Sequence, residues 1–249
     1  MIGRDCGVPA RYSQKFVVPA GPDAIATESK RLAAAGVRHV ELPIGPAGEV
    51  SLHSGEDACR LAAHAIRGAG LTISAIELIG VERGQLASGD AQQRSRGCEL
   101  VRRAVERAVW LEAAAVVLPA AFISPDERTT YEEAFFHLGE SLLDLRFDAQ
   151  RLCVCIACRV PAERFLLSPM EARDFVDRVN SAWVGASLDL SLAREFARTD
   201  DWIRMLGHRV IHAAISGRGA GTRVNEHARE LNGNGYDSVI CVEENAVDG

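Results

Sequence analysis

Along most of the chain, short β-branched runs alternate with longer stretches in which apolar residues recur every three or four positions. The first pattern predicts buried strands, the second helices with one apolar stripe. Helices are expected at 21–36, 54–70, 90–113, 129–147, 168–181, 192–206 and 222–233, and strands at 37–44, 71–79, 114–120, 153–158, 184–190, 209–216 and 237–244. Local signals mark several ends. Gly36 closes the first helix, and Ser54 precedes two acids, Glu56 and Asp57, as a cap would. Ser168, Pro169 and Glu171 combine a cap, a first-turn proline and a capping-box partner. In 90–113, Cys98, Val101, Val105, Ala108 and Val109 form the buried stripe, with Glu99 and Arg103 one turn apart. An eighth strand is expected within 2–8 or 15–18.

Strands alternating with helices of this length imply βαβ units and a parallel sheet. Eight units in 249 residues, with no linker or composition shift between them, predict one domain over 1–249 folded as a closed (β/α)₈ TIM barrel. An open doubly wound sheet is the alternative, but no Gly-rich phosphate loop follows an early strand, so no nucleotide cofactor is expected. "GRGAG" at 217–221 comes late and lacks the Lys-Ser/Thr of a phosphate loop; it reads as a flexible barrel loop. After "EE" only "NAVDG" remains, so the barrel is expected to lack its final helix. Either the N-terminal segment or a second copy would cover that seam, which makes a homo-oligomer the expectation.

Composition narrows the partners. Lys and Arg number 28 against 34 Asp and Glu, a formal charge of −6, and no clustered cationic face suits nucleic acid. The longest apolar tract, 108–123, is interrupted by Glu112 and Pro119 and is too short to span a bilayer. No leader-like order of charged, apolar and small residues opens the chain, so a cytoplasmic protein without a membrane partner is expected. Seven scattered cysteines suit reduced thiols better than a disulfide framework.

The order of segments resembles the sugar-phosphate isomerase/epimerase family with the xylose isomerase-like TIM barrel, and through it the endonuclease IV branch. "RLAAAGVRHVEL" is similar to that family's entry into strand two, "GLTISAI" to strand three, and "CELVRRAVERAVWLEAAAVVLP" to the long helix before strand four. "SPMEARDFVDRV" matches the helix after strand five and "LNGNGYDSVICVE" the closing segment. The resemblance implies a divalent metal, Mn²⁺, Mg²⁺ or Zn²⁺, held by a Glu, an Asp, a His and a second Glu at the strand ends. It also implies that the two glutamates act as acid and base on a small-molecule substrate, a sugar or related compound. Oxygen and imidazole ligands suit such ions, and two bases flanking one carbon can move a proton across it.

Carried over one position at a time, the second Glu falls on Glu243 and the Asp on Asp189. The first Glu falls on Cys158 and the His on Ala214, while two further polar positions are Leu118 and Leu192. Glu41 keeps the family's strand-two glutamate. The implied metal set, Asp189 and Glu243, is therefore incomplete. The endonuclease branch, with its His- and Asp-rich cluster, fits less well still.

The three cysteines of "CVCIACRV" (153–160) lack a second ligand pair at zinc-ribbon spacing. Alternation places Cys153 and Cys155 on one side, as small packing residues, and Cys158 on the other. At the barrel mouth Cys158 either packs or serves as an acid/base thiolate opposite Glu243; Arg159 is read as pointing outward. Glu41 and His39 are read as facing inward, so a buried Glu41 needs a partner, His39 or His212. His212, one layer deeper than Ala214, is either that partner or a displaced ligand, and Glu77 could face either way. Arg218 could meet an anionic substrate or stand as an exposed loop residue. No Gly-x-Ser-x-Gly elbow supports a serine triad. Two functions follow. One is a divergent isomerase or epimerase of a small polyhydroxy or keto compound, with Glu243 as base, Cys158 or His212 as second participant, and Glu41, His212 and Arg218 near substrate. The other is a catalytically inactive, metal-free barrel that binds a small molecule or a protein.

Overall fold

A computed structural model describes residues 12–16, 23–217 and 220–243. Eight parallel strands close into a barrel in chain order. They are β1 (Tyr12–Lys15), β2 (His39–Ile44), β3 (Thr72–Leu78), β4 (Ala115–Leu118), β5 (Cys155–Val160), β6 (Val184–Asp189), β7 (Val210–Ser216) and β8 (Ile240–Glu243). The helices among the described residues are α1 (Ala24–Ala34), α2 (Glu56–Gly68), α3 (Ala91–Trp110), α4 (Ala120–Ile123), α5 (Tyr131–Leu152), α6 (Pro169–Val179), α7 (Leu190–Ala193), α8 (Thr199–Leu206) and α9 (Ala220–Gly233). The TIM barrel expected from the alternating pattern is therefore what forms.

Successive side chains of each strand point to opposite faces, and the two faces carry different chemistry. Outward residues such as Leu42, Ile44, Ile76, Ile156, Val160 and Leu188 are buried in the large apolar layer between sheet and helices. Inside the barrel, Ala75, Ala115, Val117 and Ala157 form a separate small-residue plug, with Cys155 and Ile211 against it. Gly185 is required in this interior, because a Cβ there would stand 2.5 Å from the Arg209 carbonyl oxygen, just before the neighbouring strand β7. Two register shifts, between Val40 and Glu41 and between Ala186 and Ser187, re-aim the following residues, as bulges do.

Local signals explain several boundaries and correct others. The strand that closes the barrel is 12–15 and shares only Lys15 with the segments expected for it. Gly55, not Ser54, stands at the N-cap of α2, and the Ser54 hydroxyl instead accepts from the Ser51 N–H. Ser168 caps α6 as expected, but the Glu171 carboxylate turns to the Leu167 N–H and the Tyr131 hydroxyl, so the capping box is only half made. A complete box starts α5, between Thr130 and Glu133. That helix runs to Leu152, and β5 begins two residues later than the expected strand. The single helix expected over 192–206 is two, α7 and α8. Arg218 and 244–249, with the expectation of a missing last helix, lie outside the described residues.

Candidate active site at the barrel mouth

In this fold the C-terminal ends of the strands form the mouth where reactive groups gather. Lys15 ends β1, Glu77 and Arg159 are the penultimate residues of β3 and β5, Asp189 ends β6 and Glu243 ends β8. Their side chains meet. The Arg159 Nη2 donates to Glu243 Oε1 at 2.8 Å and to Glu77 Oε1 at 3.0 Å, and Nη1 reaches Asp189 Oδ2 at 3.5 Å. The Lys15 ammonium pairs with Glu77 and stands 3.7 Å from Glu243 Oε1. Burial alone would make the guanidinium easier to deprotonate, but Glu243, Glu77, Glu41 and Asp189 hold it charged, its pKa above the ordinary value. For Lys15 the burial penalty is likewise outweighed by Glu77 and Glu243.

Below this layer lies a buried polar chain. His212 Nε2 is 2.7 Å from Glu41 Oε2, and His212 Nδ1 is 2.7 Å from the Ser187 hydroxyl. With the Nε2–H donating to the carboxylate, the hydroxyl donates to Nδ1 of a neutral ring and accepts from a doubly protonated one. One register shift falls just before Glu41 in the β2–β3 pairing, and the other just before the Ser187–His212 pair in the β6–β7 pairing. Burial pushes the Glu41 carboxyl upward. His212, through charge and hydrogen bond, then Arg159 and Lys15, bring it down to about 2.

Several expectations are met in geometry. Glu243 and Asp189 converge at the mouth through Arg159, Glu41 faces inward with His212 as its partner, and Glu77 also faces in. Asp189 also shapes the local backbone, since its Oδ1 accepts from the Ser191 and Leu192 N–H groups and caps α7. Glu41 and His212 are buried beneath the mouth.

Cys158 is not at the mouth. It packs outward with Ile156 and Val160, 1 % exposed, and burial pushes its thiol up to about 12, far from a neutral-pH acid/base. The inward neighbour is Arg159, so the expected assignment of faces on strand five is displaced by one residue, which exchanges the two. Alternation carries the missing signal. Val154, Ile156 and Val160 are the large apolar residues of the stretch, and a barrel strand turns those toward its helices; Arg159 must then point inward. Lys15 escapes the sequence reading because it is the start of the expected segment 15–18, whereas in the barrel it is the last residue of β1, at the mouth. Cys153, expected on the strand, instead ends α5 in a left-handed conformation at φ 54° and is exposed.

Two groups have ligand atoms close enough to share a metal: Glu41, Glu77 and Glu243, and Glu41, His212 and Cys241. The first does not fit an ion as arranged, because the Arg159 Nη2 stands between the Glu77 and Glu243 oxygens that would bind it. At the position implied for the metal-binding histidine, Ala214 offers no donor atom. In the second group Glu41 Oε1 has no hydrogen-bond partner, yet Glu41 Oε2 and His212 Nε2 are bonded to each other. Burial, Glu41 and Glu243 also hold the Cys241 thiol well above its usual range. Elsewhere, a cavity of about 260 Å³ beside Val184 and Arg209 opens at the N-terminal end of the barrel, away from these groups. Among the described residues no helix is long and apolar enough to cross a membrane.

Fold and mouth together define an eight-stranded α/β barrel whose charged side chains gather at the C-terminal ends of its strands. The chain belongs to the xylose isomerase-like TIM barrel family, whose model matches residues 29–247. Its fold is similar to that of a D-psicose 3-epimerase solved in the presence of D-fructose (TM-score 0.78, 15 % identity, covering 96 % of this chain and 86 % of that one). It is similar too to a 3-keto-D-glucoside 4-epimerase from E. coli (0.76, 16 %, 96 % and 94 %). An AP endonuclease, family 2, from Brucella melitensis shares the fold as well (0.71, 16 %, 94 % and 92 %). No curated protein matches the chain by sequence.

Proposed function

We propose that the mouth binds a small polyhydroxy or keto compound and moves a proton on it, as sugar isomerases and epimerases do. The observation that carries this is the pairing of Glu243, 19 % exposed, with Lys15, 32 % exposed, at the rim. The Glu243 carboxylate would take a proton from the carbon beside a carbonyl. The C–H electron pair becomes the double bond of an enediolate, and the carbonyl oxygen receives the negative charge beside the Lys15 ammonium. The neighbouring hydroxyl passes its proton to that oxygen, and Glu243 returns the carbon-bound proton to the former carbonyl carbon, which completes an isomerisation with one base. Inversion at a single carbon needs a second base on the opposite face, and a strand-five guanidinium stays protonated and cannot serve. One-base isomerisation is therefore the preferred form. The sugar epimerases among the structural neighbours support the substrate class.

Solvent deuterium wash-in on a panel of aldoses, ketoses and their phosphates, followed by mass spectrometry, tests the proposal. The expected result is incorporation by the wild type and a loss of at least about a hundredfold in Glu243→Gln with substrate binding retained. The second reading, a barrel that binds without chemistry, is favoured by the 2.8 Å bond that ties Glu243 to Arg159. Binding of a panel member by calorimetry with no wash-in would select it.

A further inference from the structure

We infer that Arg159 occupies, as a built-in cation, the place where the family resemblance puts a divalent metal, so that the mouth works without one. This rests on the reading above only for where the site lies. Four carboxylates converge from β2, β3, β6 and β8: Glu41, Glu77, Asp189 and Glu243. A set so rich in oxygen would ordinarily attract a hard cation. Here the guanidinium lies among them. One nitrogen, Nη2, bridges Glu77 and Glu243, and the other, Nη1, faces Asp189. An ion bound by those oxygens at about 2 Å would have to share the space of that nitrogen.

The charges match as well as the volumes. Arg159 and Lys15 each contribute one positive charge, together what a single divalent ion would carry. Two further oxygens have other partners, and Glu41 Oε1 has none. Asp189 Oδ1 is taken by the start of α7, and Glu41 Oε2 by His212. Arginine also suits this position better than lysine, because its planar fork can bridge two carboxylates at once. The strand that would supply the first metal-binding glutamate thus supplies its opposite charge.

Chelator-treated wild-type protein, titrated with Mn²⁺ and followed by calorimetry and by the electron paramagnetic resonance of the free ion, tests this directly. Wild type is expected to show no saturable uptake and no Mn²⁺-dependent change in melting temperature. Arg159→Ala, which leaves the carboxylates with Lys15 alone, is expected to gain saturable one-to-one binding and a Mn²⁺-dependent rise in Tm. Arg159→Lys, which keeps a cation, should stay indifferent to the ion. Stoichiometric micromolar binding by wild type that disappears in Glu243→Gln would overturn the inference. So would a folded Arg159→Ala protein that ignores Mn²⁺. If that variant does not fold, the wild-type titration still decides. Absent deuterium wash-in would remove the proton-transfer reading and leave this one standing, so the two failures are distinguishable.

Discussion

Lowering the pH should unload the buried Glu41–His212 pair, at a cost in stability set by how far the fold lowers the Glu41 carboxyl. Glu41 is fully buried, and the positive groups around it bring its carboxyl to about 2 in the fold, against about 4.5 for the free group. A lowered carboxyl stabilises the fold above its unfolded pKa, and the contribution disappears as pH falls toward the folded value. The difference corresponds to roughly 3 kcal/mol in full, of which about 2 kcal/mol should be gone between pH 5 and pH 3. The perturbation is Glu41→Gln, which keeps the volume and removes the charge. Urea unfolding of both proteins between pH 5 and pH 3 is the assay. Acids common to both proteins cancel in the comparison, so wild type should lose about 2 kcal/mol more than the variant across that window. Above pH 5 the gap should be largest and flat with respect to this group. Parallel acid limbs for the two proteins would refute the claim that Glu41 is held ionised by His212 and the mouth cations.

Three further outcomes follow from packing and capping. Alkylation of the native protein near pH 8 should modify exposed Cys153 and spare Cys158, whose thiol is buried and pushed up to about 12; peptide mapping showing early modification of Cys158 would place it at an open surface. Gly185→Ala should cost about 1–3 kcal/mol in denaturant melts, because its Cβ would meet the Arg209 carbonyl oxygen at 2.5 Å, and a neutral result would mean that β6 and β7 separate more easily than their register suggests. Thr130→Ala should cost about 1 kcal/mol by removing half of the capping box that starts α5, whereas Ser54→Ala, which caps no helix, should leave helix content unchanged by circular dichroism.

Which parts of this structure could be read from the chain follows from how local each signal is. The alternation of periods two and 3.6 is carried within each segment, so the barrel and most of its strands were legible without any long-range information. Ser168 with Pro169 and the pairing of Glu99 with Arg103 are likewise local, and both form. Closing the barrel is not local. β1 is four residues long, and its pairing with β2 and β8 arises only when the sheet curls round to meet it. The break between α7 and α8 has a similar origin, since Asp189 starts a short helix at the mouth instead of letting one long helix begin at 192.

Arg159 illustrates the deeper limit. A charged residue inside a barrel is costly unless its counter-charges arrive with it. Its partners are 82, 30 and 84 residues away along the chain, so their convergence is a property of the closed sheet. Taken by itself, "ACRV" makes the cysteine look like the interior residue and the arginine like the surface one; the folded sheet reverses both. That reversal bears on the chemistry. A metal ion presents open positions and can coordinate two substrate oxygens directly, whereas a guanidinium already bonded to Glu77, Glu243 and Asp189 has few donors left to offer. In the proposed reaction, charge that develops on a substrate oxygen would then be met chiefly by Lys15, the more exposed of the two cations. Lys15→Met should accordingly depress any proton exchange more than it weakens ligand binding, whereas loss of Arg159 should act first on the arrangement of the carboxylates themselves.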